Sequence, residues 1–139
     1  MRVTLERKND NYLLEAKGAS GIPVMIDNKS SETVQGSSPM ELILMGVGGC
    51  SAIDIIHILK KQRQTISSYK VEVEGERFEL DDSKPFKAMK VVVYLEGEIT
   101  PEKAQRAADL SFQKYCSVSK TFDRVVAITY TISLNGKEL

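Results

Sequence analysis

The two cysteines, Cys50 and Cys116, are the side chains of this sequence that are best suited to chemistry. A thiolate can attack a peroxide and become a sulfenic acid, and a second cysteine can then condense with it to a disulfide. The two residues are 66 positions apart, so the fold must bring them together before they can act as a pair. For each thiol taken alone, a buried cysteine of the core is the competing interpretation.

Cys50 follows two glycines, Gly48 and Gly49, inside an apolar segment. Glycines in a helix indicate close packing or a break. If the helix breaks there, Cys50 lies near the N-terminus of the second half, where free N–H groups and the helix dipole lower the pKa of a thiol. Gly49 also leaves room for a substrate to approach.

Asp54 and His57 follow Cys50 by four and seven residues and share its helical face. His57 is two turns away, roughly 10 Å along the axis, so we expect a hydrogen-bonded structural histidine and not a base. Asp54 is interpreted as a polar partner for another segment or another copy. A zinc site from these three residues has poor geometry, and we expect no metal and no cofactor.

The segments around the cysteines predict an α+β fold with the order βββ-α-ββ-α-β, including one antiparallel hairpin. The Ser-Pro and Thr-Pro pairs that end at Pro39 and Pro101 are typical helix starts, and the second helix is expected to run to about Val118. The predicted strands are Arg2–Leu5, Tyr12–Ala16, Ile22–Ile26, Tyr69–Glu76, Lys87–Glu96 and Val125–Leu134.

The first helix is apolar on nearly every face from Leu42 to Ile58, so it needs cover on all sides. One chain of this size offers only one other long helix and about six short strands to provide it. An obligate homodimer, in which sheets from both chains surround two such helices, satisfies this need. The uncharged stretch 42–53 is shorter than the ~20 residues of a membrane-spanning helix, so we expect no membrane span.

The composition indicates one globular domain over residues 1–139, with 42% hydrophobic and 27% charged residues. Because 19 basic residues balance 19 acidic ones, there is no general electrostatic reason to bind nucleic acid or an anionic membrane. The charged N-terminus does not resemble a signal peptide. Two cysteines are too few for a secreted disulfide framework, so a cytoplasmic location is expected.

Two stretches resemble the cysteine motifs of the OsmC/Ohr superfamily. Residues 38–55, SPMELILMGVGGCSAIDI, resemble the first motif, and residues 109–122, DLSFQKYCSVSKTF, resemble the second. The resemblance covers essentially the whole chain. The residues of the two motifs are most similar to those of the YhfA-like branch, whose activity is not established. It implies the OsmC/Ohr-like fold, in which two central helices are wrapped by antiparallel sheets in an intertwined homodimer with sites built from both chains.

The resemblance also implies a chemistry, because characterised members of the superfamily are thiol peroxidases that reduce organic hydroperoxides. Cys50 matches the peroxidatic cysteine and Cys116 the resolving one. The implied reductant is a dithiol such as a protein-bound lipoyl group. We expect a small apolar hydroperoxide as substrate, because the sequence places no charged residue near Cys50 that could bind a small ionic substrate.

One position departs from the peroxidase pattern. In the peroxidases, a glutamate follows the proline of the first motif and pairs with an arginine that holds the thiolate. Met40 stands at that position, and Glu41 comes one residue later, about 100° further round the helix. Neither Arg2 nor Arg7 can be matched to the arginine. Met40, Glu41 and Gly49 are the supporting site residues of this prediction.

Two other functions are compatible with the same residues. The first is a non-catalytic dimeric protein that binds a small apolar ligand beside Cys50, a hypothesis that follows from the missing glutamate–arginine pair. The second is disulfide-regulated sensing or partner binding. Turnover of a hydroperoxide distinguishes the peroxidase from both.

Overall fold

A computed structural model describes all residues, 1–139, with seven strands and three α-helices. The α+β class and the predicted order of elements are confirmed, with a split in the second helix and one further strand at the C-terminus. The chain divides into two compact units, residues 1–43 and residues 44–139, which are described in turn. A single domain over 1–139 stays a prediction.

Residues 1–43 begin with a three-stranded antiparallel sheet. Its strands are β1 (Thr4–Arg7), β2 (Leu14–Lys17) and β3 (Pro23–Ile26), in the spatial order β1-β2-β3. Each strand lies within two residues of its predicted range, because the Asn- and Gly-rich turns between them are strong local signals. Leu13 and Ile26 are the buried apolar side chains of this unit.

The loop after β3 is organised by the buried carboxylate of Asp27. This group accepts hydrogen bonds from the N–H of Asn28 at 2.7 Å, the hydroxyl of Ser31 at 2.9 Å and the N–H of Gln35 at 3.0 Å. The bond from Gln35 is the largest of the causes that lower the pKa of Asp27. These hydrogen bonds hold the loop that leads to Ser38, directly before the next helix.

Helix α1 (Pro39–Lys61) begins with the predicted cap. The N–H and the hydroxyl of Ser38 donate to the Glu41 carboxylate at 2.8 and 2.7 Å, and the N–H of Glu41 donates to the Ser38 hydroxyl at 3.3 Å. This reciprocal pair is a capping box, which satisfies N–H groups that the first turn of a helix leaves without partners.

Residues 44–139 contain the rest of α1, a four-stranded sheet and two further helices. The sheet has the order β4-β5-β6-β7. Its strands are β4 (Thr65–Arg77), β5 (Phe86–Glu98), β6 (Ala127–Leu134) and β7 (Lys137–Glu138). The expected antiparallel arrangement holds for all pairs except β5 and β6, which are parallel because the chain crosses over through helices between them.

The core of this second unit is formed largely by β5 and α1. Alternate residues of β5 are buried, as the period of a strand requires, and α1 contributes a buried stripe at helical spacing. The fully buried large side chains of the two elements are Val47, Ile55, Leu59, Met89, Val91, Val93 and Leu95.

Helix α1 continues through its three glycines, so the break considered at Gly48 and Gly49 is wrong. Gly48 instead permits close packing, because a Cβ atom there would lie 3.0 Å from Cγ2 of Val73 on β4. The hydroxyl of Ser51 donates to the Gly48 carbonyl at 3.0 Å, within the same buried stripe. The glycine therefore sets how near the cysteine-bearing helix lies to the sheet.

By length and composition, α1 is one helix that could cross a membrane. The predicted absence of a span rested on a shorter stretch, 42–53, whereas the whole helix has 23 residues. Core helices satisfy the same criteria. The close approach of Gly48 to β4 and the buried stripe are the features of a helix that packs on a sheet.

The second helical segment begins as predicted and ends earlier. Helix α2 (Pro101–Leu110) packs against β6, and its buried residues are all alanines. The helix then widens into a π-helical turn (Ser111–Tyr115) and stops at Cys116, which is extended with ψ 97°. A separate short helix, α3 (Ser117–Phe122), follows. The prediction of one helix to Val118 is wrong in this last part.

Alanine at two adjacent glycines tests the packing of α1. Gly49→Ala should raise the free energy of unfolding by up to about 1 kcal/mol through helix propensity, because its Cβ meets nothing within 4 Å. Gly48→Ala should be the less stable variant, because Val73 must move to admit the methyl group. Denaturant titration of both variants measures the difference, and equal stabilities would contradict the packing described.

Candidate active site: two thiols and a carboxylate

The structure brings Cys50 and Cys116 together and adds Asp54 to them. The two Sγ atoms and a carboxylate oxygen of Asp54 all lie within 4.8 Å of one another. Cys50 and Asp54 are half-buried on α1, Cys116 is fully buried, and both cysteines are free. Sulfur atoms this close need only a modest side-chain movement to form a disulfide. These three residues are called the thiol cluster below.

Cys116 owes its orientation to the irregular backbone around it. Its N–H donates to the Ser111 carbonyl at 2.8 Å, which closes the π-helical turn. Its sulfur is the N-cap acceptor of α3, with Ser119 donating from its N–H at 3.4 Å and from its hydroxyl at 3.1 Å. The thiol is thus held in place from both of its neighbouring elements.

Aromatic and polar contacts fix the π-helical turn to the sheet. The rings of Phe112 and Tyr130 stack, with centroids 4.3 Å apart and planes inclined by 10°. The Tyr130 hydroxyl donates to Asp109 at 2.9 Å and accepts from the Gln113 amide at 3.3 Å. Because Tyr130 belongs to β6, these contacts anchor the segment that carries Cys116.

Asp54 connects the two halves of the cluster. Ser111, the first residue of the π-helical turn, donates its hydroxyl to Oδ2 of Asp54 at 3.2 Å. Asp54 therefore has the polar partner that the sequence suggested, but its place beside both sulfurs was missed. The available signal was its position one turn after Cys50, as the only acidic residue of α1 after Glu41.

Burial raises the pKa of the Cys116 thiol, and the neighbouring Cys50 raises it further. The two hydrogen bonds from Ser119 act in the opposite direction and offset only part of this effect. Cys116 is therefore a neutral thiol at neutral pH. Cys50 is the more exposed of the two cysteines.

The residues around the family's glutamate position are engaged locally. The carboxylate of Glu41 is held by Ser38 and by an ion pair with Lys29 at 3.6 Å. These partners lower the pKa of Glu41, with the hydrogen bond from the Ser38 side chain as the largest cause. Met40 is half-buried in the same turn. The Arg7 guanidinium donates to backbone carbonyls of the turn after β1.

Two further expectations concern α1. Gly49 is exposed, and no atom lies within 4 Å of the place where its Cβ would be. Its role as an approach to Cys50 stays a prediction. His57 is also exposed and makes no hydrogen bond or ion pair, so its expected role as a hydrogen-bonded structural residue is wrong. Because α1 is continuous, no helix N-terminus lies at Cys50, so the expected contribution of a helix dipole at this position is wrong.

A cavity of about 650 Å³ opens beside Asp54. Its wall combines apolar side chains with two cationic ones, one from α1 and one from α2. The lining residues include Asp54, Ile58, Lys61, Arg106 and Leu110. Lys61 follows Asp54 by two turns and Arg106 comes from α2, whereas neither cysteine lines this cavity. The expectation of an apolar substrate at Cys50 stays a prediction.

The fold and the site together define an α+β protein with two facing cysteines on separate helical segments. A family model described as OsmC-like protein matches residues 30–131. The chain belongs to this OsmC-like family, as the two cysteine motifs suggested.

Known proteins agree with this assignment. The chain is 37% identical over 116 residues to Protein YhfA of Escherichia coli (strain K12), covering 83% of this chain and 84% of that protein. The crystal structure of an OsmC-like protein from Mycoplasma pneumoniae has a TM-score of 0.81 at 15% identity, covering 96% of this chain and 95% of that one. An organic hydroperoxide resistance protein from Elizabethkingia anophelis has a TM-score of 0.73 at 14% identity, covering 96% and 94%. These two structures show the shared fold.

The raised pKa of Cys116 predicts a pH-dependent stability in the reduced protein. Above the ordinary thiol pKa of 9.0, the unfolded chain releases this proton while the native chain retains it. The free energy of unfolding therefore falls as the pH rises through that value, and Cys116→Ala lacks this contribution. The stability difference between wild type and Cys116→Ala should shrink from about pH 8 to about pH 10 in denaturant titrations.

Ser119→Ala provides a second variant for this measurement. Since the Ser119 hydroxyl lowers the pKa of Cys116 and alanine keeps only the backbone N–H, its loss should make the total alkaline fall in stability larger than in the wild type. A wild-type curve parallel to that of Cys116→Ala at all pH values would contradict the assignment.

Proposed function

We propose that the protein is a thiol-dependent peroxidase that reduces organic hydroperoxides, with Cys50 as the nucleophile and Cys116 as the resolving thiol. The observation that carries this proposal is the pair of free sulfurs within 4.8 Å, one half-buried and one fully buried. A nucleophile must be reachable by the substrate, whereas a resolving thiol needs only to reach the first sulfur.

The proposed reaction has two steps on the protein. The Cys50 thiolate attacks the peroxide oxygen that bears hydrogen, the O–O bond breaks, and the alkoxide leaves and takes up a proton to become the alcohol. The sulfenic acid on Cys50 then condenses with the Cys116 thiol, which releases water and forms the disulfide. A dithiol, such as a protein-bound lipoyl group, restores both thiols by two exchange reactions.

The surroundings of the cluster support this chemistry. The cavity beside Asp54 is large enough for a small organic molecule and has apolar walls at Ile58 and Leu110. One protein with the same fold is named an organic hydroperoxide resistance protein. A cytoplasmic location, where thiols are kept reduced, is part of the proposal.

A binding protein without turnover is the second candidate function. The same cavity favours it, because a pocket of this kind can hold a small ligand without any reaction. In that case the ligand would bind beside Asp54, and the cysteines would not react with a hydroperoxide.

Rapid mixing with one equivalent of cumene hydroperoxide tests the peroxidase. The reduced protein, in the presence of a chelator, should lose two thiols per chain within seconds, and a dithiol should restore them. Cys50→Ser should lose none. Cys116→Ser should lose one and should accumulate a sulfenic acid that a specific trapping reagent labels, because no second thiol is present to condense with it.

These outcomes separate the two candidates. Wild-type thiols that persist for minutes contradict the peroxidase and favour the binding protein. Loss of thiols at an unchanged rate in Cys50→Ser refutes the assigned roles of the two cysteines.

We also propose a homodimer formed through α1. Although one stripe of this helix is buried in the chain, its opposite face presents Ile53 at 71% and Met45 at 55% exposure. An apolar face of this kind is costly to leave in water, and a second copy of the helix is its natural complement. The family resemblance implies the same assembly.

A charge on this face should disrupt the dimer. Ile53→Glu should convert a dimer to a monomer at micromolar concentration in light scattering, because a carboxylate would be buried at the interface. Ile53→Val, which keeps the apolar surface, is the matched control and should remain dimeric. A wild-type chain that is monomeric at the same concentration would refute the proposal.

A further inference from the structure

The geometry points to a binding site for a thiophilic divalent cation, with Zn²⁺ as the best match, formed in the reduced protein by Cys50, Asp54 and Cys116. Two sulfurs and one carboxylate oxygen converge from two segments that are distant in sequence. The zinc site that the sequence made unfavourable consisted of Cys50, Asp54 and His57. In the structure Cys116, and not His57, lies beside Cys50 and Asp54, so the cluster has two sulfur atoms.

The spacing of the donor atoms suits tetrahedral zinc. With Zn–S near 2.3 Å and Zn–O near 2.0 Å, neighbouring ligand atoms in such a site lie roughly 3.5–3.8 Å apart. The three donors of the thiol cluster already lie within 4.8 Å of one another, so small side-chain rotations bring them to a common ion. Two sulfurs select a soft cation over Mg²⁺ or Ca²⁺, which prefer a full set of oxygen ligands.

Two of the three ligand atoms, on Asp54 and Cys116, also accept a hydrogen bond that orients them, as metal ligands commonly do. Ser111 donates to Oδ2 of Asp54 at 3.2 Å. Ser119 donates to the sulfur of Cys116 at 3.1 Å through its hydroxyl. With either serine hydroxyl donating, the Asp54 oxygen and the Cys116 sulfur each keep a free lone pair for the ion.

Three protein ligands leave the fourth tetrahedral position open. Asp54 lines the cavity of about 650 Å³, which gives the ion a path to the cluster and gives a water or a solute access to the open position. Zinc binding would release the thiol protons, and the cation would neutralise most of the negative charge that two thiolates and a carboxylate bring together.

This inference uses the residues of the proposed function but does not depend on turnover. Zinc binding and the Cys50–Cys116 disulfide exclude each other at this site, because the disulfide has no thiolates left to bind the ion. Oxidation of the loaded site by a hydroperoxide would take up two protons and yield the disulfide, an alcohol, water and free Zn²⁺. Oxidation of the thiols would thus release the metal.

Cobalt titration of the reduced full chain under anaerobic conditions tests the site. One equivalent of Co²⁺ per chain should produce thiolate-to-cobalt charge-transfer absorption, and Zn²⁺ should abolish it. Cys50→Ser and Cys116→Ser should each weaken this absorption and lower the affinity for Zn²⁺ by more than the 10–100-fold typical for loss of an outer partner. Asp54→Asn should lower the Zn²⁺ affinity at least 10-fold.

Asp82→Asn is the matched control, because Asp82 is an exposed loop residue without an ion pair. It should bind both metals as the wild type does. Absence of the charge-transfer band at stoichiometric Co²⁺, or an unchanged Zn²⁺ affinity in Asp54→Asn, overturns the inference. Since the peroxide experiment is carried out with a chelator, its failure and the failure of metal binding are observed separately.

Discussion

The hydrogen bond from the N–H of Cys116 to the carbonyl of Ser111 is the contact on which the site depends. It closes a π-helical turn, which adds a residue to the helical turn and changes the direction of the side chains that follow. With this geometry the hydroxyl of Ser111 meets Asp54, and the sulfur of Cys116 meets Cys50. In a regular helix each added residue rotates by about 100°, so these two contacts would not form together.

Helix α1 combines three requirements in one segment. Residues four apart place Cys50 and Asp54 on a common face, and Gly48 allows that helix to lie close to β4. The same helix presents Ile53 on its outward side. These requirements explain why residues 42–53 of the helix are all apolar or small.

Local signals in the sequence were sufficient to predict the positions of most helices and strands. They failed where contacts between distant residues determine the backbone conformation. The capping residues at Ser38 and the turns of the first sheet act over a few residues, so their positions were predicted to within two residues. The extended backbone at Cys116 depends on the stacking of Phe112 on Tyr130 and on hydrogen bonds from distant positions. The same applies to the carboxylate of Asp54, whose hydrogen-bond partner Ser111 is 57 positions away along the chain.

The separation of the two cysteines along the chain has a consequence for chain entropy. A disulfide between them would close a loop spanning 66 positions, and the loop-closure model assigns such a crosslink about 4 kcal/mol of stabilisation through the unfolded state. The oxidised and reduced forms would therefore differ in their resistance to unfolding as well as in their chemistry. A proteolytic system that degrades unfolded chains would sense the redox state of this protein through its lifetime.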